Sequence, residues 1–253
     1  MEKKLRYFVS DVHLGCDVLN PADREARFVG FLRSLPEETA ELYLLGDIWD
    51  FWYEYRDVVP RGYFRVFAAL TDLIDRGVAV YFFQGNHDVW TFSYFEQIGM
   101  KKLVQPYIFE ADGKLFCIGH GDGLGPVPKS YLRLRRLFHN RVAQRLFSTI
   151  HPHLAFSLGN GWSRRNRLSH KSEYEFKGMS EPLCIFAEQF AEEYKADPRN
   201  GGRQIDFFIF GHYHSAVDMY LPCGSRFLML KDWFKSSPYI VWNGESITAS
   251  VRL

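Results

Sequence analysis

The 253-residue sequence predicts an α/β protein in which two mixed β-sheets pack as a sandwich flanked by helices, with one helical insertion. Continuous apolar segments, typical of strands buried on both faces, alternate with helix-like segments through much of the chain. Several strand-like segments follow one another near the C-terminus, which favours a mixed arrangement in two sheets. The sequence contains no internal repeat and no low-complexity linker, so we expect a single domain over residues 1–253.

The N-terminal part of the chain predicts three strands separated by two helices. The strands are expected in LRYFVSD, ELYLLGD and VAVYFFQGNHD, each of which is an apolar run followed by polar residues. The first helix is expected after Asn20, because Asn suits an N-cap and Pro21 suits the first helical position. Apolar residues at helical spacing predict the second helix near residues 61–76.

The remaining elements follow in a different order. The stretch VQPYIFEADGKLFCIGHGD predicts a hairpin with Asp112 and Gly113 in its turn. A helix is expected in SEPLCIFAEQFAEEYK and a buried strand in IDFFIFGHYH. The tail segments FLMLKDW, YIVWNG and ITASVRL predict antiparallel strands.

Between the hairpin and the last helix lies the strongest charge asymmetry of the sequence. Residues 123–172 contain ten Lys or Arg and no Asp or Glu, although the whole chain carries a formal net charge of +1. Apolar residues such as Leu134, Leu137 and Phe138 recur there at helical spacing. We interpret residues 127–172 as a basic helical insertion, or lid, within the domain.

Three interpretations of this basic segment remain open. Its helices can pack against the acidic remainder of the protein, bind an apolar phosphorylated ligand at a membrane surface, or bind nucleic acid. Its many aliphatic residues favour an apolar ligand over nucleic acid. The start of the sequence lacks the apolar core of a secretory signal, and no apolar run approaches the roughly 20 residues of a membrane-spanning helix. The four cysteines form no Cys-x-x-Cys pair, so we expect reduced thiols and a cytosolic protein.

Five strand-like segments end in residue types that bind metals. Because the ends of strands in an open α/β sheet converge on one crevice, these residues can meet at one point. Asp11 and His13 are two positions apart and would project to the same side if the strand continued, as would His212 and His214. The five groups are Asp11 and His13; Asp47 and Asp50; Asn86, His87 and Asp88; His120 and Asp122; and His212 and His214.

Together these residues predict a site for two metal ions. Each motif alone is common as a turn or a solvated strand end, but their joint occurrence after apolar strands indicates a metal site. The candidate ligands are too many for one ion, and their mixed oxygen and nitrogen atoms favour Mn²⁺, Fe or Zn²⁺ over Ca²⁺. A pair of ions suits hydrolysis of a phosphoryl group.

The ordered motifs DxH, GDxxD, GNHD, GH and GHxH resemble those of the calcineurin-like metallophosphoesterase family over residues 10–214. The resemblance implies that His87 acts on the phosphoryl group, either as general acid or as charge stabiliser, and that Asp50 holds the His87 ring by a hydrogen bond. Asp88 and Asp122 receive no ligand role. The implied ligands of one ion are Asp11, His13, Asp47 and His214, and those of the other are Asp47, Asn86, His120 and His212.

One branch of that family, the UDP-2,3-diacylglucosamine pyrophosphohydrolases of lipid A biosynthesis, is similar in length, in the stretch HGDGL and in an insertion containing RNRLSHKS. This resemblance implies an Mn²⁺-dependent cytoplasmic enzyme at the inner membrane leaflet, which hydrolyses UDP-2,3-diacylglucosamine to UMP and 2,3-diacylglucosamine 1-phosphate. The implied partner is a phosphorylated glycolipid, nucleic acid is not expected, and the oligomeric state is not predicted. Candidate substrate contacts are Asn86, His87, Lys129, Ser169, Lys171 and His212.

One residue departs from the pattern of this branch, whose best-known members read Gly-Asn-Arg-Asp where this sequence has His87. An Arg can only stabilise charge, whereas a His can also protonate a leaving group. Two alternatives therefore stay open. The first is a soluble metallophosphoesterase that acts on a nucleotide, nucleic acid or phosphoprotein. The second is a non-catalytic scaffold, which the complete ligand set disfavours.

Overall fold

The structure is a computed structural model that describes residues 4–169 and 174–250, with the backbone alone described at residues 166–169. The strands are β1 (Leu5–Val9), β2 (Thr39–Leu44), β3 (Ala79–Phe83), β4 (Lys101–Leu103), β5 (Tyr107–Ala111), β6 (Lys114–Ile118), β7 (Phe207–Phe210), β8 (Val217–Tyr220), β9 (Arg226–Met229), β10 (Ile240–Trp242) and β11 (Ile247–Ala249). The helices are α1 (Pro21–Ser34), α2 (Phe64–Asp75), α3 (Tyr94–Gln97), α4 (Lys129–Phe138), α5 (Arg141–Phe147), α6 (Pro152–Ser169) and α7 (Pro182–Ala196).

Over the described ranges the strands form two mixed sheets, so the predicted two-sheet sandwich is confirmed. The first sheet has the order β11-β10-β1-β2-β3-β4, and β1 to β4 are parallel. The second has the order β5-β6-β7-β9-β8, and β6, β7 and β9 are parallel. In each sheet the carboxyl ends of the central strands therefore lie at one edge, where their following loops can meet.

Alternate side chains of the central strands explain why these segments are apolar throughout. In β1, Phe8 packs between the two sheets, whereas Tyr7 and Val9 face the layer of α1 and α2. In β2, Tyr43 likewise faces the other sheet and Leu44 faces the helices. A strand covered on both faces has no polar face, and this removes the alternating pattern of a half-exposed strand.

Capping explains where α1 begins, and apolar packing explains where α7 lies. The side chain of Asn20 accepts a hydrogen bond from the backbone N–H of Asp23 and so caps α1, with Pro21 at its start, as predicted. On the other side of the sandwich, α7 covers the second sheet through Leu183, Cys184 and other buried residues.

The prediction of antiparallel strands throughout the tail was wrong for one strand. β9 lies in the second sheet, where it pairs in parallel with β7 and antiparallel with β8. The chain reverses after β7 to form β8 and reverses again, so β9 runs in the direction of β7. β10 and β11 are antiparallel to their neighbours, but they belong to the first sheet.

Within residues 127–172, the structure describes α4, α5 and α6. Aromatic residues of the sandwich hold these helices by hydrogen bonds to their backbone. The Tyr53 hydroxyl donates to the carbonyl of Gln144 at 2.7 Å, and Nε1 of Trp90 donates to the carbonyl of Phe138 at 2.9 Å. These polar anchors place the helices beside the loops that follow β2 and β3.

Candidate metal centre

Backbone hydrogen bonds join four of the five motif loops in pairs at the carboxyl edge of the sheets. The N–H of Asp11 donates to the carbonyl of Gly46 at 3.1 Å, and the N–H of His13 donates to that of Asp47 at 3.0 Å. Across the two sheets, the N–H of Gly211 donates to the carbonyl of His120 at 3.0 Å. These bonds hold the two loops of each pair together.

The side chains of these loops form three overlapping groups of possible ligands. In each group the ligand atoms lie within 4.8 Å of one another. Because the groups share Asp11, His13 and Asp47, the arrangement suits two adjacent ions better than one. The groups are Asp11, His13 and His214; His13, Asp47 and His87; and Asp11, Asp47 and His120.

The individual distances show where the ligand atoms converge. Nε2 of His13 lies 3.1 Å from Nε2 of His214 and 3.9 Å from Oδ2 of Asp47. Nε2 of His120 lies 3.5 Å from Oδ2 of Asp47 and 3.2 Å from Oδ1 of Asn86. Asp47 is therefore in reach of both halves of the site.

His212 lies at the rim of this cluster and in none of the three groups. Its backbone N–H donates to Oδ2 of Asp11 at 3.0 Å, and its ring centre lies 5.1 Å from that of His120. Its assignment as a ligand remains a prediction.

The strand does not continue through Asp11 and His13, so the condition for their projection to one side is not met. β1 ends at Val9, and Asp11 and His13 adopt left-handed conformations with φ of 53° and 50°. His212 and His214 follow β7 in the same way, with φ of 75° and 54°. Non-glycine residues with such angles carry backbone strain of about 1–3 kcal/mol each, and they concentrate at functional sites.

One buried atom indicates that the cluster fits a cation. Oδ1 of Asp11 is buried and accepts no hydrogen bond from any described residue, and its approach to Nε2 of His214 at 3.2 Å lacks hydrogen-bond geometry. Buried polar atoms are nearly always paired, and an unpaired carboxylate oxygen facing imidazole nitrogens is satisfied by a metal ion.

The electrostatics of the cluster favour ionised carboxylates. Burial alone would raise the pKa of Asp47, but the adjacent His120, His87 and His13 hold it well below its usual value. Burial alone would lower the pKa of His120, but the negative charge of Asp47 raises it to about 10. A divalent ion therefore competes with a proton at this imidazole, and metal binding would release protons.

The three histidines nearest the centre are oriented by acceptors on their other ring nitrogen. Nδ1 of His120 donates to the carbonyl of Leu45 at 2.9 Å. Nδ1 of His13 lies 3.3 Å from Oδ1 of Asp50, and Nδ1 of His214 lies 3.5 Å from Oδ2 of Asp232. In each case Nε2 faces the cluster, where it can bind a metal ion in place of a proton, as in carboxylate–histidine–metal arrangements.

Asp50 contacts His87 differently from the expectation. The backbone carbonyl of Asp50, and not its carboxylate, accepts the hydrogen bond from Nδ1 of His87 at 2.9 Å. The nearest carboxylate oxygen lies 3.8 Å from that nitrogen. The carboxylate is directed instead at His13 and at Ser163, whose hydroxyl donates to Oδ2 at 2.7 Å.

Asp88 ties two of the motif loops together. Its carboxylate accepts from the N–H of Gly85 at 2.7 Å and from that of Ile48 at 2.9 Å. Burial, together with the charge of Asp47, raises the pKa of Asp88 to about 7. Gly85 is required for a steric reason as well, since a Cβ there would overlap the carboxylate of Asp47.

A cavity of about 340 Å³ opens from this centre into the space under α4, α5 and α6. Its polar end contains Asp50, Asn86 and His87, and Arg135 lies beside them in an ion pair with Asp122 at 2.6 Å. Its apolar end is lined mainly by Leu134, Phe138, Phe147, Leu158 and Trp162. The cavity therefore combines a polar end beside the metal cluster with an apolar end under the helices.

Of the predicted substrate contacts, the structure brings only Asn86 and His87 to this cavity. Lys129 is exposed at the start of α4, and neither it nor His212 lines the cavity. Ser169 ends α6, but its side chain is not described. Lys171 lies outside the described residues.

Sequence reasoning missed two residues of the site. Asp232 follows the apolar strand β9, so the pattern of a strand end with an acidic residue could have identified it. Ser163 had no such signal, because its partner Asp50 lies 113 positions away in the sequence.

Residues 6–216 match the model of the family described as calcineurin-like phosphoesterase. The match spans most of the chain, which therefore belongs to the calcineurin-like phosphoesterase family, as the five motifs predicted. The chain is accordingly a metal-dependent hydrolase, and its family implies a dinuclear divalent-metal site.

Two curated relatives carry a more specific name than the family. A protein of Porphyromonas gingivalis named UDP-2,3-diacylglucosamine hydrolase is 35% identical over 95% of this chain and 95% of its own. A protein of Proteus mirabilis with the same name is 33% identical over 89% of this chain and 95% of its own. Each match covers at least 89% of this chain and 95% of the relative.

Proposed function

We propose that this protein hydrolyses the pyrophosphate of UDP-2,3-diacylglucosamine, releasing UMP and 2,3-diacylglucosamine 1-phosphate. The observation that carries the proposal is the cavity that joins Asn86 and His87 to an interior of aromatic and aliphatic side chains. A small water-soluble phosphoester would need only the polar mouth. A glycolipid with acyl chains uses both ends, and the two named relatives carry the same substrate in their names.

The residues of the centre divide into two sets in the proposed mechanism. One ion would be held by Asp11, His13, Asp47 and His214, and the other by Asp47, Asn86, His120 and His212. When bound, the two ions supply an acidified water molecule and neutralise the phosphoryl oxygens. Mn²⁺ suits this mixture of carboxylate, amide and imidazole, and Fe or Zn²⁺ also bind such sets.

His87 is placed to act on the leaving group. Because its Nδ1 donates to the carbonyl of Asp50, the other ring nitrogen is free to face the cavity that it lines. From there Nε2, when protonated, can donate to the oxygen that departs from the α-phosphorus. Arg135 lines the same cavity, where its guanidinium is held by the ion pair with Asp122.

A turnover assay with a cavity variant tests the substrate. Purified protein with Mn²⁺ should release UMP from UDP-2,3-diacylglucosamine and should also cleave a small aryl phosphodiester. Trp162→Ala removes an apolar wall of the cavity, and we expect the KM for the lipid to rise about tenfold while cleavage of the diester is unchanged. The matched control is Leu154→Ala, on the same helix but outside the cavity.

The possible results of this assay distinguish the three candidate functions. Cleavage of the diester without release of UMP would refute the lipid substrate and favour a water-soluble phosphoester. Cleavage of neither substrate, with metal bound, would favour a scaffold.

We also propose that α4 and α5, within the lid of residues 127–172, contact the inner membrane leaflet from the cytoplasmic side. Leu137, Val142 and Leu146 are 55%, 65% and 67% exposed. Next to them Arg136 and Arg145 are exposed, and no ion pair joins either to another described residue. Exposed apolar residues flanked by cations suit an anionic bilayer surface. In the portion of the chain that is described, no helix has the length and hydropathy to cross a bilayer.

Vesicle flotation tests this contact. The protein should float with phosphatidylglycerol vesicles and bind phosphatidylcholine vesicles weakly. Arg136→Glu with Arg145→Glu should lower binding to the anionic vesicles at least about tenfold, since each cation near such a surface contributes about 1 kcal/mol. Arg33→Glu with Arg65→Glu makes the same change of charge on α1 and α2 and should bind normally. Equal loss in both variants would contradict a specific contact through α4 and α5.

A further inference from the structure

We propose that Ser163 of α6 is a positioning residue through which the insertion orients Asp50 and, by way of Asp50, the imidazole of His13. The proposal rests on the metal-dependent activity proposed above, but not on the identity of the lipid substrate.

Ser163 is unusually buried for a residue of α4, α5 or α6. In the described side chains of residues 127–165, Ser163 and Ala155 are the two buried residues, and Ser163 is only 5% exposed. Its hydroxyl donates to Oδ2 of Asp50 at 2.7 Å. A hydrogen bond to an ionised carboxylate is stronger than one between neutral groups, and burial keeps water from competing for it.

The other oxygen of the same carboxylate faces the metal cluster. Oδ1 of Asp50 lies 3.3 Å from Nδ1 of His13, whose Nε2 belongs to the group of possible ligands. Ser163 holds one end of the carboxylate, so that the other end is presented to the imidazole. The hydroxyl also lies 3.5 Å from Nδ1 of His87, so Ser163 contacts His87 as well as Asp50.

The packing of α6 explains how the hydroxyl reaches this depth. Ala155, Gly159 and Ser163 are spaced four residues apart and therefore lie on one face of the helix. A Cβ at Gly159 would overlap the ring of Phe51, which is the neighbour of Asp50 in the chain. The small residues let α6 approach the loop after β2 closely enough for Ser163 to contact the carboxylate.

Through this arrangement α6 contacts the residues around the metal cluster as well as lining the cavity proposed for the substrate. The carboxylate that lies beside the imidazole of His13 accepts a hydrogen bond from α6. Removal of such an outer partner of a metal ligand typically costs 10–100-fold in metal affinity or activity.

Ser163→Ala tests the proposal, with Ser163→Thr to restore a hydroxyl and Ser157→Ala as the control at an exposed position of α6. Three quantities are measured: the Mn²⁺ dissociation constant by calorimetric titration, and kcat and KM for both the aryl phosphodiester and the lipid substrate. We expect Ser163→Ala to weaken Mn²⁺ binding or lower kcat by about 10–100-fold, by the same factor on both substrates and with KM nearly unchanged. Ser163→Thr should recover part of the loss, and Ser157→Ala should match the unaltered protein.

Other outcomes would overturn the proposal. If Ser163→Ala raises KM for the lipid alone, Ser163 acts by packing the insertion. If Mn²⁺ affinity and cleavage of the diester both remain unchanged, the hydroxyl does not position the site. Because the diester needs no acyl cavity, these results can be read even if the protein does not hydrolyse UDP-2,3-diacylglucosamine. A variant that unfolds at the same temperature as the unaltered protein is correctly folded, and thermal unfolding measures this.

Discussion

Replacement of Asp47 by Ala is expected to remove metal from the protein and to lower turnover by about 10³-fold or more. Oδ2 of Asp47 lies 3.5 Å from Nε2 of His120 and 3.9 Å from Nε2 of His13, so this carboxylate is in reach of both halves of the cluster. Its loss takes away the negative charge and the oxygen atoms that the two ions would share. Metal content after dialysis, measured by elemental analysis, checks the result.

Two further variants make this test specific. Oδ1 of Asp47 accepts the N–H of His87 at 2.8 Å, so Asp47→Ala also opens a loop contact. Asp47→Asn keeps an oxygen for that N–H but removes the charge, and it should lose metal while remaining folded. Asp72→Ala changes an exposed carboxylate of α2 and should retain full metal. Two ions per chain in folded Asp47→Asn would show that Asp47 does not bridge them.

His87→Ala is expected to lower kcat by about 10²-fold or more while metal content is unchanged. The ring lines the cavity next to the ligands, and its Nδ1 is engaged by the carbonyl of Asp50, so its role is directed at the substrate. Measuring kcat and bound metal in the same preparation checks both parts. His153→Ala, at an exposed position of α6, is the matched control.

His87→Arg separates the two roles proposed for this side chain. Arg keeps a positive charge but does not release its proton near neutral pH. Activity near that of the unaltered protein would indicate charge stabilisation, and a loss equal to that of His87→Ala would indicate proton donation. His87 also belongs to one of the three ligand groups. Loss of metal from His87→Ala would therefore contradict its role at the substrate and assign it as a ligand.

The sequence was sufficient for the two-sheet sandwich and for the meeting of the motif loops, although not for the pairing of β9, because both follow from short-range patterns. An apolar run such as that of β1 predicts a buried strand, and residues after parallel strands must share one edge. The local geometry was not predictable in the same way. Asp11 and His13 adopt left-handed conformations after the strand has ended, and alternation along a strand does not describe them.

Contacts between distant elements were the least accessible from sequence. The partner of Nδ1 of His87 is a backbone carbonyl, and this depends on how the loop after β2 turns. The contact of Ser163 with Asp50 requires α6 to dock against Phe51, and the small residues at Ala155, Gly159 and Ser163 do not specify the partner of that helix face. Asp232 was accessible in principle, since it follows a buried strand as the other acidic residues do.

Anomalous diffraction from crystals grown with Mn²⁺ tests the central claim most directly. We predict two peaks about 3.5–4 Å apart at the carboxyl edge of the sheets, with Asp47 contacting both. One peak should adjoin His13 and His214, and the other should adjoin His120. A single peak, or two peaks that share no carboxylate, would contradict the account.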